Sequence, residues 1–272
     1  MIHSYRLSQL LIPVSSKEIL EERILKLTLS SPYISHKAKP GNFVHVRVSS
    51  TDNPLLRRAF SIHSVNQAKN SFDILFRVVG KGTEILSQVN PGETLDILGP
   101  IGNSFTLPPK SKEAMLVAGG MGIAPLWFLF TRLVEKGFDP RRITFLFGAK
   151  NKRELLYIEK FRKSKVKLVV TTDDGSMGSK GLVTDAFLKE LSGRGRDFNN
   201  LFIYSCGPEM MLAKISDITK EYNLSCQISL EIGMACGVGA CWGCVVKLAD
   251  GAYRRVCADG PVFDARTINF QK

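Results

Sequence analysis

Apolar and polar side chains alternate along residues 25–29, 43–48 and 72–78. A period of two puts one face of an extended strand into a core and leaves the other outside. Pro, Gly, Asn, Asp and Ser separate these runs, so residues up to about 105 predict short strands and an antiparallel β-barrel. One short helix is expected after Gly82-Thr83, through Glu84, Ile85 and Leu86. Past Pro108-Pro109 the rhythm changes. Residues 114–118, 142–147, 166–171 and 201–205 read as buried strands, and 123–134, 153–162, 182–191 and 209–222 as helices. Strands alternating with helices predict a parallel sheet covered on both faces. From about Leu224 the helical pattern stops. The expected architecture is multidomain: a β-barrel over 1–109, a parallel α/β domain over 110–222 and a small cysteine-rich domain over 223–272.

Composition narrows the class. With 272 residues, 44% hydrophobic and 23% charged, the chain is neither disordered nor fibrous, and it is too large for a disulfide scaffold. The longest apolar stretch, 123–130, contains Pro125 and ends near Arg132, short of the ~20 residues a bilayer needs. The N-terminal stretch through Pro13 is too short and interrupted to be an export signal. A cytoplasmic protein with reduced thiols and no membrane partner is therefore expected, where clustered cysteines hold metal. The net charge of +12 first suggests an anionic partner. It divides as +4, +7 and +1 over the three segments, which favours a dinucleotide at the middle domain over nucleic acid at the cysteines. The eight bases between Lys150 and Lys167 read as a solvated face.

Cys236, Cys241, Cys244 and Cys257 form C-x4-C-x2-C-x12-C. Zinc knuckles usually come as two short pairs, whereas a three-cysteine loop with one distant ligand is the plant-type [2Fe–2S] arrangement. Gly237, Gly239 and Gly243 let such a loop wrap a cluster and offer N–H groups to sulfur. Four-thiolate zinc and two disulfides are the alternatives. Cys226 is expected to be a small buried residue.

Arg58-Ala59-Phe60-Ser61 places a guanidinium, an aromatic ring and a hydroxyl on one extended stretch. These can meet a pyrophosphate, a flavin ring and the flavin N5. Gly80-Lys81-Gly82-Thr83 at a helix start supplies a second anion site. Gly119, Gly120 and Gly122, between a strand and a helix opened by Pro125, permit close approach of a pyrophosphate. Cys206-Gly207 ends the last parallel strand, where Cys206 is expected to face a nicotinamide; Met210 and Met211 are expected in the core.

Barrel R-x-F-S, G-G-x-G-x-A-P and C-G-P-x-M together resemble the ferredoxin–NADP reductase superfamily. The tail, with Arg255 to Phe263 and Thr171-Thr172-Asp173-Asp174-Gly175-Ser176, is similar to class 1B dihydroorotate dehydrogenase electron-transfer subunits over essentially the whole chain. The resemblance implies FAD held by Arg58, Ala59, Phe60, Ser61, Leu75, Phe76, Arg77, Gly82 and Thr83, and a [2Fe–2S] cluster on the four tail cysteines. It further implies NAD as acceptor and an FMN-containing dihydroorotate dehydrogenase catalytic subunit as partner, in a heterotetramer of two plus two. Electrons would pass from partner FMN through the cluster and FAD to NAD⁺, in de novo pyrimidine biosynthesis. No base or substrate pocket for dihydroorotate is found, so its oxidation belongs to the partner. The alternatives are an NAD(P)H-dependent reductase subunit of a sulfide- or ferredoxin-linked complex, and a basic zinc-dependent nucleic-acid binder.

Overall fold

The computed structural model describes residues 8–194 and 198–270; residues 1–6, part of the stretch read for an export signal, lie outside them. The alternating runs form β1 (Gln9–Glu21), β2 (Ile24–Ser30), β3 (Phe43–Arg47), β4 (Arg58–Asn66), β5 (Ser71–Arg77) and β6 (Thr94–Ile101). These strands close an antiparallel barrel in the order β1-β2-β5-β4-β3-β6, which removes exposed edges. Leu27, Val44, Val46, Ile62, Ile74 and Ile97 are wholly buried inside it, one residue in two along their strands. Helix α1 (Pro32–Lys37) is a short element the pattern does not announce; Ser31 Oγ caps it by accepting the Ile34 N–H at 3.2 Å. Helix α2 (Lys81–Gln88) begins one residue before Gly82.

Beyond the barrel follow β7 (Glu113–Gly119), α3 (Ile123–Glu135), β8 (Ile143–Ala149), α4 (Ile158–Lys163), β9 (Lys167–Thr172) and β10 (Ser179–Lys180). Next come α5 (Val183–Ser192), β11 (Leu201–Cys206), α6 (Glu209–Glu221) and β12 (Cys226–Ser229). Alternate strand residues serve the two faces. Leu116, Phe145 and Phe147 pack with Leu126, Leu129 and Phe161 of α3 and α4, whereas Met115, Val117 and Leu146 pack with Phe187, Leu212 and Ile215 of α5 and α6. Helix α3 is apolar nearly all round because it lies between sheet and barrel, with Phe128 buried in the barrel core.

One expected helix, 153–162, is broken. A 3₁₀ turn covers Lys152–Glu154, and α4 starts only at Ile158 after Tyr157 enters the left-handed region at φ 62°. Tertiary contacts outweigh the helical pattern here. The Tyr157 ring lies 4.7 Å from Trp127 and 5.2 Å from His63, and Glu154 pairs with Arg77 at 2.8 Å.

The sheet also takes strands from beyond Tyr222. β12 runs parallel to β11, and the excursion that follows holds β13 (Val245–Lys247), β14 (Tyr253–Arg255) and α7 (Val256–Asp259) before β15 (Val262–Asp264) returns antiparallel to β12. The order is β10-β9-β8-β7-β11-β12-β15. Asn103, at the end of the barrel, fixes this tail: its Nδ2 donates to the Val262 carbonyl at 2.8 Å and its Oδ1 accepts the Val262 N–H at 2.9 Å.

Candidate redox centre

Strand order reverses between β7 and β11, because β8 lies to one side of β7 and β11 to the other. A crevice at such a switch point, beyond the carboxyl ends of the strands, is where open α/β sheets take ligands. Both nucleotide candidates sit there. Gly119, Gly120 and Gly122 follow β7, and Cys206-Gly207 ends β11, with Cys206 paired to Ala118 in register. Gly122 has an ordinary φ of −58°, but a Cβ on it would overlap the Cys206 carbonyl and stand 2.7 Å from the Gly207 nitrogen. Loop and strand end are in backbone contact, and only glycine allows it. Met211 packs its sulfur against Gly119 and Gly207, while Met210 is 81% exposed and so departs from the core role expected of it.

A cavity of about 340 Å³ opens between this crevice and the barrel. Arg58, Ala59, Phe60 and Ser61 of β4, Leu75, Phe76 and Arg77 of β5, and Thr83 of α2 line it. Met121 and Ala124 contribute from the loop and α3, and Glu231, Met234 and Pro261 from the tail. Gly82 lies behind Arg58, and a Cβ there would stand 2.8 Å from the Arg58 Nε. The two neighbouring arginines differ. Arg57 is paired with Asp96 at 2.7 Å, whereas Arg58 donates only to the Leu56 and Arg57 carbonyls, with no carboxylate partner among the described residues. Its charge, beside the N–H groups that open α2, suits a pyrophosphate. The Phe60 ring sits 5.4 Å from Phe76, mostly buried in the barrel. Part of the Arg77 guanidinium is committed to Glu154.

Cys206 is fully buried and reaches the cavity through Glu231, its Sγ lying 3.9 Å from Glu231 Oε1. Burial pushes the Cys206 thiol well above its ordinary range, and the Glu231 charge adds to this. Glu231 is exposed at the cavity mouth, and crowding by neighbouring protein atoms raises its carboxyl in turn.

The four tail cysteines are free thiols, as are Cys206 and the buried Cys226. Their side chains associate in two pairs, Cys236 with Cys241 and Cys244 with Cys257. Among the described residues no three His, Cys, Asp or Glu converge on one metal position. Two thiolate pairs suit two irons better than one zinc. Loop N–H groups already face sulfur: Gly239 donates to Cys257 Sγ at 3.1 Å, Val238 and Cys241 to Cys236 Sγ at 3.4 Å, and Gly243 to Cys241 Sγ at 3.4 Å. Burial raises the Cys236 thiol, but the Val238 and Cys241 N–H groups outweigh it and bring it down to about 6. Burial and Cys244 push Cys257 up to about 12. Gly237 and Gly239 hold φ of 69° and 82°, where other residues are strained.

Three families of known proteins match parts of the chain. Residues 12–105 match the oxidoreductase FAD-binding domain family, 116–217 the oxidoreductase NAD-binding domain family, and 231–269 the iron–sulfur cluster binding domain of dihydroorotate dehydrogenase B. The dihydroorotate dehydrogenase B (NAD(+)) electron transfer subunit of Desulforamulus reducens is 41% identical over 240 residues, covering 87% of this chain and 89% of that protein. This chain belongs to that family. The electron transfer subunit of Bacillus caldolyticus is 39% identical over 259 residues, 94% of this chain and 96% of its own. Among solved structures, a chain of the NADH-dependent reduced ferredoxin-NADP oxidoreductase superposes with a TM-score of 0.82 at 30% identity, covering 96% of this chain and 91% of that one. The iron–sulfur family match sets aside the zinc-dependent nucleic-acid binder, and all eight bases of 150–167 are exposed.

Three residues of this electron-transfer-subunit chain have contacts that emerge only in space. Glu231 joins the cavity to Cys206. Arg255 staples the cysteine loop, donating to the Gly239 carbonyl at 2.9 Å, pairing with Asp259 and lying 5.0 Å over the Trp242 ring. His45, on the outer wall of the barrel, packs against Gly237. Each meets partners distant in sequence, so no local signal could have shown them except the Arg255–Asp259 spacing of four.

Proposed function

We propose that this chain is the electron-transfer subunit of an NAD-dependent dihydroorotate dehydrogenase, taking electrons from an FMN-containing catalytic partner and delivering them to NAD⁺ in de novo pyrimidine biosynthesis. One observation supports this most: a single cavity is lined by barrel, nucleotide loop and cysteine tail together. Bound [2Fe–2S] and FAD would supply single-electron transfer and hydride transfer respectively. The chain's own residues have to hold these groups in contact. Cys236, Cys241, Cys244 and Cys257 would bind the cluster, and the loop N–H groups would stabilise charge on its sulfurs. Arg58, Gly82 and Thr83 would take the FAD pyrophosphate. Ala59, Phe60, Ser61, Leu75, Phe76 and Arg77 line the cavity and would form the flavin wall, where Ser61 would hydrogen-bond the ring. Gly119, Gly120 and Gly122 would seat the NAD pyrophosphate at the start of α3, and Cys206-Gly207 with Glu231 would close the nicotinamide end.

A segmentation at 1–109, 110–222 and 223–272, a two-plus-two heterotetramer and a cytoplasmic location complete the proposal. No helix among the described residues is long and apolar enough to cross a membrane. The likeness to the ferredoxin-NADP oxidoreductase chain supports a second function, an NAD(P)H-dependent reductase subunit of a ferredoxin-linked complex. Affinity purification from native cells separates the two. A flavoprotein partner that confers dihydroorotate-dependent NAD⁺ reduction is expected; a ferredoxin-linked partner without it would overturn the first function.

A further inference from the structure

His45 is a buried polar group. It stands on β3, opposite Ala59 of β4 and Leu98 of β6, on the outward face of the barrel. Its ring is wholly buried; the Cys236 and Arg57 backbones lie beside it, but neither Nδ1 nor Nε2 makes a well-formed hydrogen bond to them. An unmade bond at a buried imidazole is destabilising, so such a group calls for an explanation.

The surroundings point to one. Ala59 lines the flavin cavity, so His45 sits one strand away from it. On its other side lies the cysteine loop. A Cβ on Gly237 would overlap His45 Nδ1 and stand 2.9 Å from Cε1 and 3.0 Å from Cγ, so the ring packs directly on the residue after Cys236. Gly237 holds φ 69° to make this approach. An imidazole carries at least one ring N–H in either tautomer, so His45 has a proton to donate. The loop backbone already donates to cysteine sulfur.

We propose that His45 is a positioning residue whose ring N–H hydrogen-bonds the iron–sulfur group at the Cys236 end of its loop, fixing that loop against the flavin wall and raising the potential of the group. This rests on the cysteine loop holding such a group. Reduction adds negative charge, and a donor to sulfur favours the more negative state.

The test uses the full chain with its cofactors. Iron analysis at two per chain, with cluster absorbance, checks the underlying assignment independently. Wild-type protein carrying ring-¹⁵N histidine is reduced with dithionite and examined by pulsed electron paramagnetic resonance. An imidazole ¹⁵N coupling is expected, and an iron-loaded protein without one overturns the proposal. His45→Leu should shift the one-electron reduction equilibrium about tenfold towards the oxidised cluster, about 59 mV downward. The FAD potential should stay unchanged. His45→Gln, which keeps a donor, should recover most of the shift. An unmoved cluster potential in His45→Leu, or an equal fall in His45→Gln, means that His45 is only packing. If His45→Leu fails to hold iron, the wild-type coupling decides.

Discussion

Gly122→Ala isolates the contact between the nucleotide loop and the end of β11. Gly122 has φ −58°, which any residue adopts, so backbone strain plays no part. The added Cβ would overlap the Cys206 carbonyl and stand 2.7 Å from the Gly207 nitrogen, where ordinary contact begins at about 3.4 Å. These are backbone atoms, and no rotamer relieves the overlap. Loop and strand end must therefore part by about 1 Å. Overpacking of this kind costs on the order of 3 kcal/mol. A displacement of about 1 Å between reacting groups costs about 100-fold in rate. NADH-driven ferricyanide reduction reads the flavin and nucleotide sites without the cluster, with FAD content and thermal unfolding measured alongside. Gly122→Ala should keep its FAD and lose about 100-fold in rate. Gly92→Ala, outside the nucleotide site, is the control: φ is 93° and no atom lies within 4 Å of its Cβ, so it bears only the left-handed cost of about 1–2 kcal/mol. If both folded variants reduce ferricyanide equally fast, the loop–strand contact does not set the hydride geometry.

Cys241→Ser should remove cluster absorbance and dihydroorotate-driven NAD⁺ reduction while NADH-driven ferricyanide reduction survives; unchanged partner-driven activity would show that Cys241 is not a ligand. Arg58→Ala should weaken FAD binding to the apoprotein about 10–100-fold, from the loss of a charged hydrogen bond of about 1.5–3 kcal/mol, and unaltered flavin titration would remove Arg58 from the pyrophosphate site. His63 is buried between barrel and α3, where its Nδ1–H donates to the Ala124 carbonyl at 3.1 Å and burial lowers it to about 4. The unfolded chain binds this proton below about pH 6.5 and the folded chain does not, so the stability present above that pH is lost as pH falls towards 4. Denaturant titrations should show wild type losing on the order of 3 kcal/mol more than His63→Gln between pH 7 and 4; parallel losses would refute the assignment.

The barrel strands and most sheet elements were legible because burial there follows a local period, as Val44, Val46, Leu27 and Leu29 show. Cysteine spacing was legible because a cluster constrains it directly. What stayed hidden depends on distant partners. Tyr157 breaks a helical run to stack on Trp127 and His63, and β12 and β15 are too short to announce themselves in the tail. Gly119, Gly120 and Gly122 look alike in sequence, yet only Gly122 meets backbone atoms. Glu231 and His45 acquire their places from Cys206 and Gly237, more than twenty residues away in each case.

The central claim is that electrons entering at the cysteine loop leave at the NAD crevice. It is tested most directly by mixing the cofactor-loaded chain with a purified FMN-containing dihydroorotate dehydrogenase subunit from the same cells and following NADH formation anaerobically. Dihydroorotate-dependent NADH is expected only when both proteins are present, and none with Cys241→Ser. NADH formation by the catalytic subunit alone, or none from the two cofactor-loaded proteins together, would contradict it.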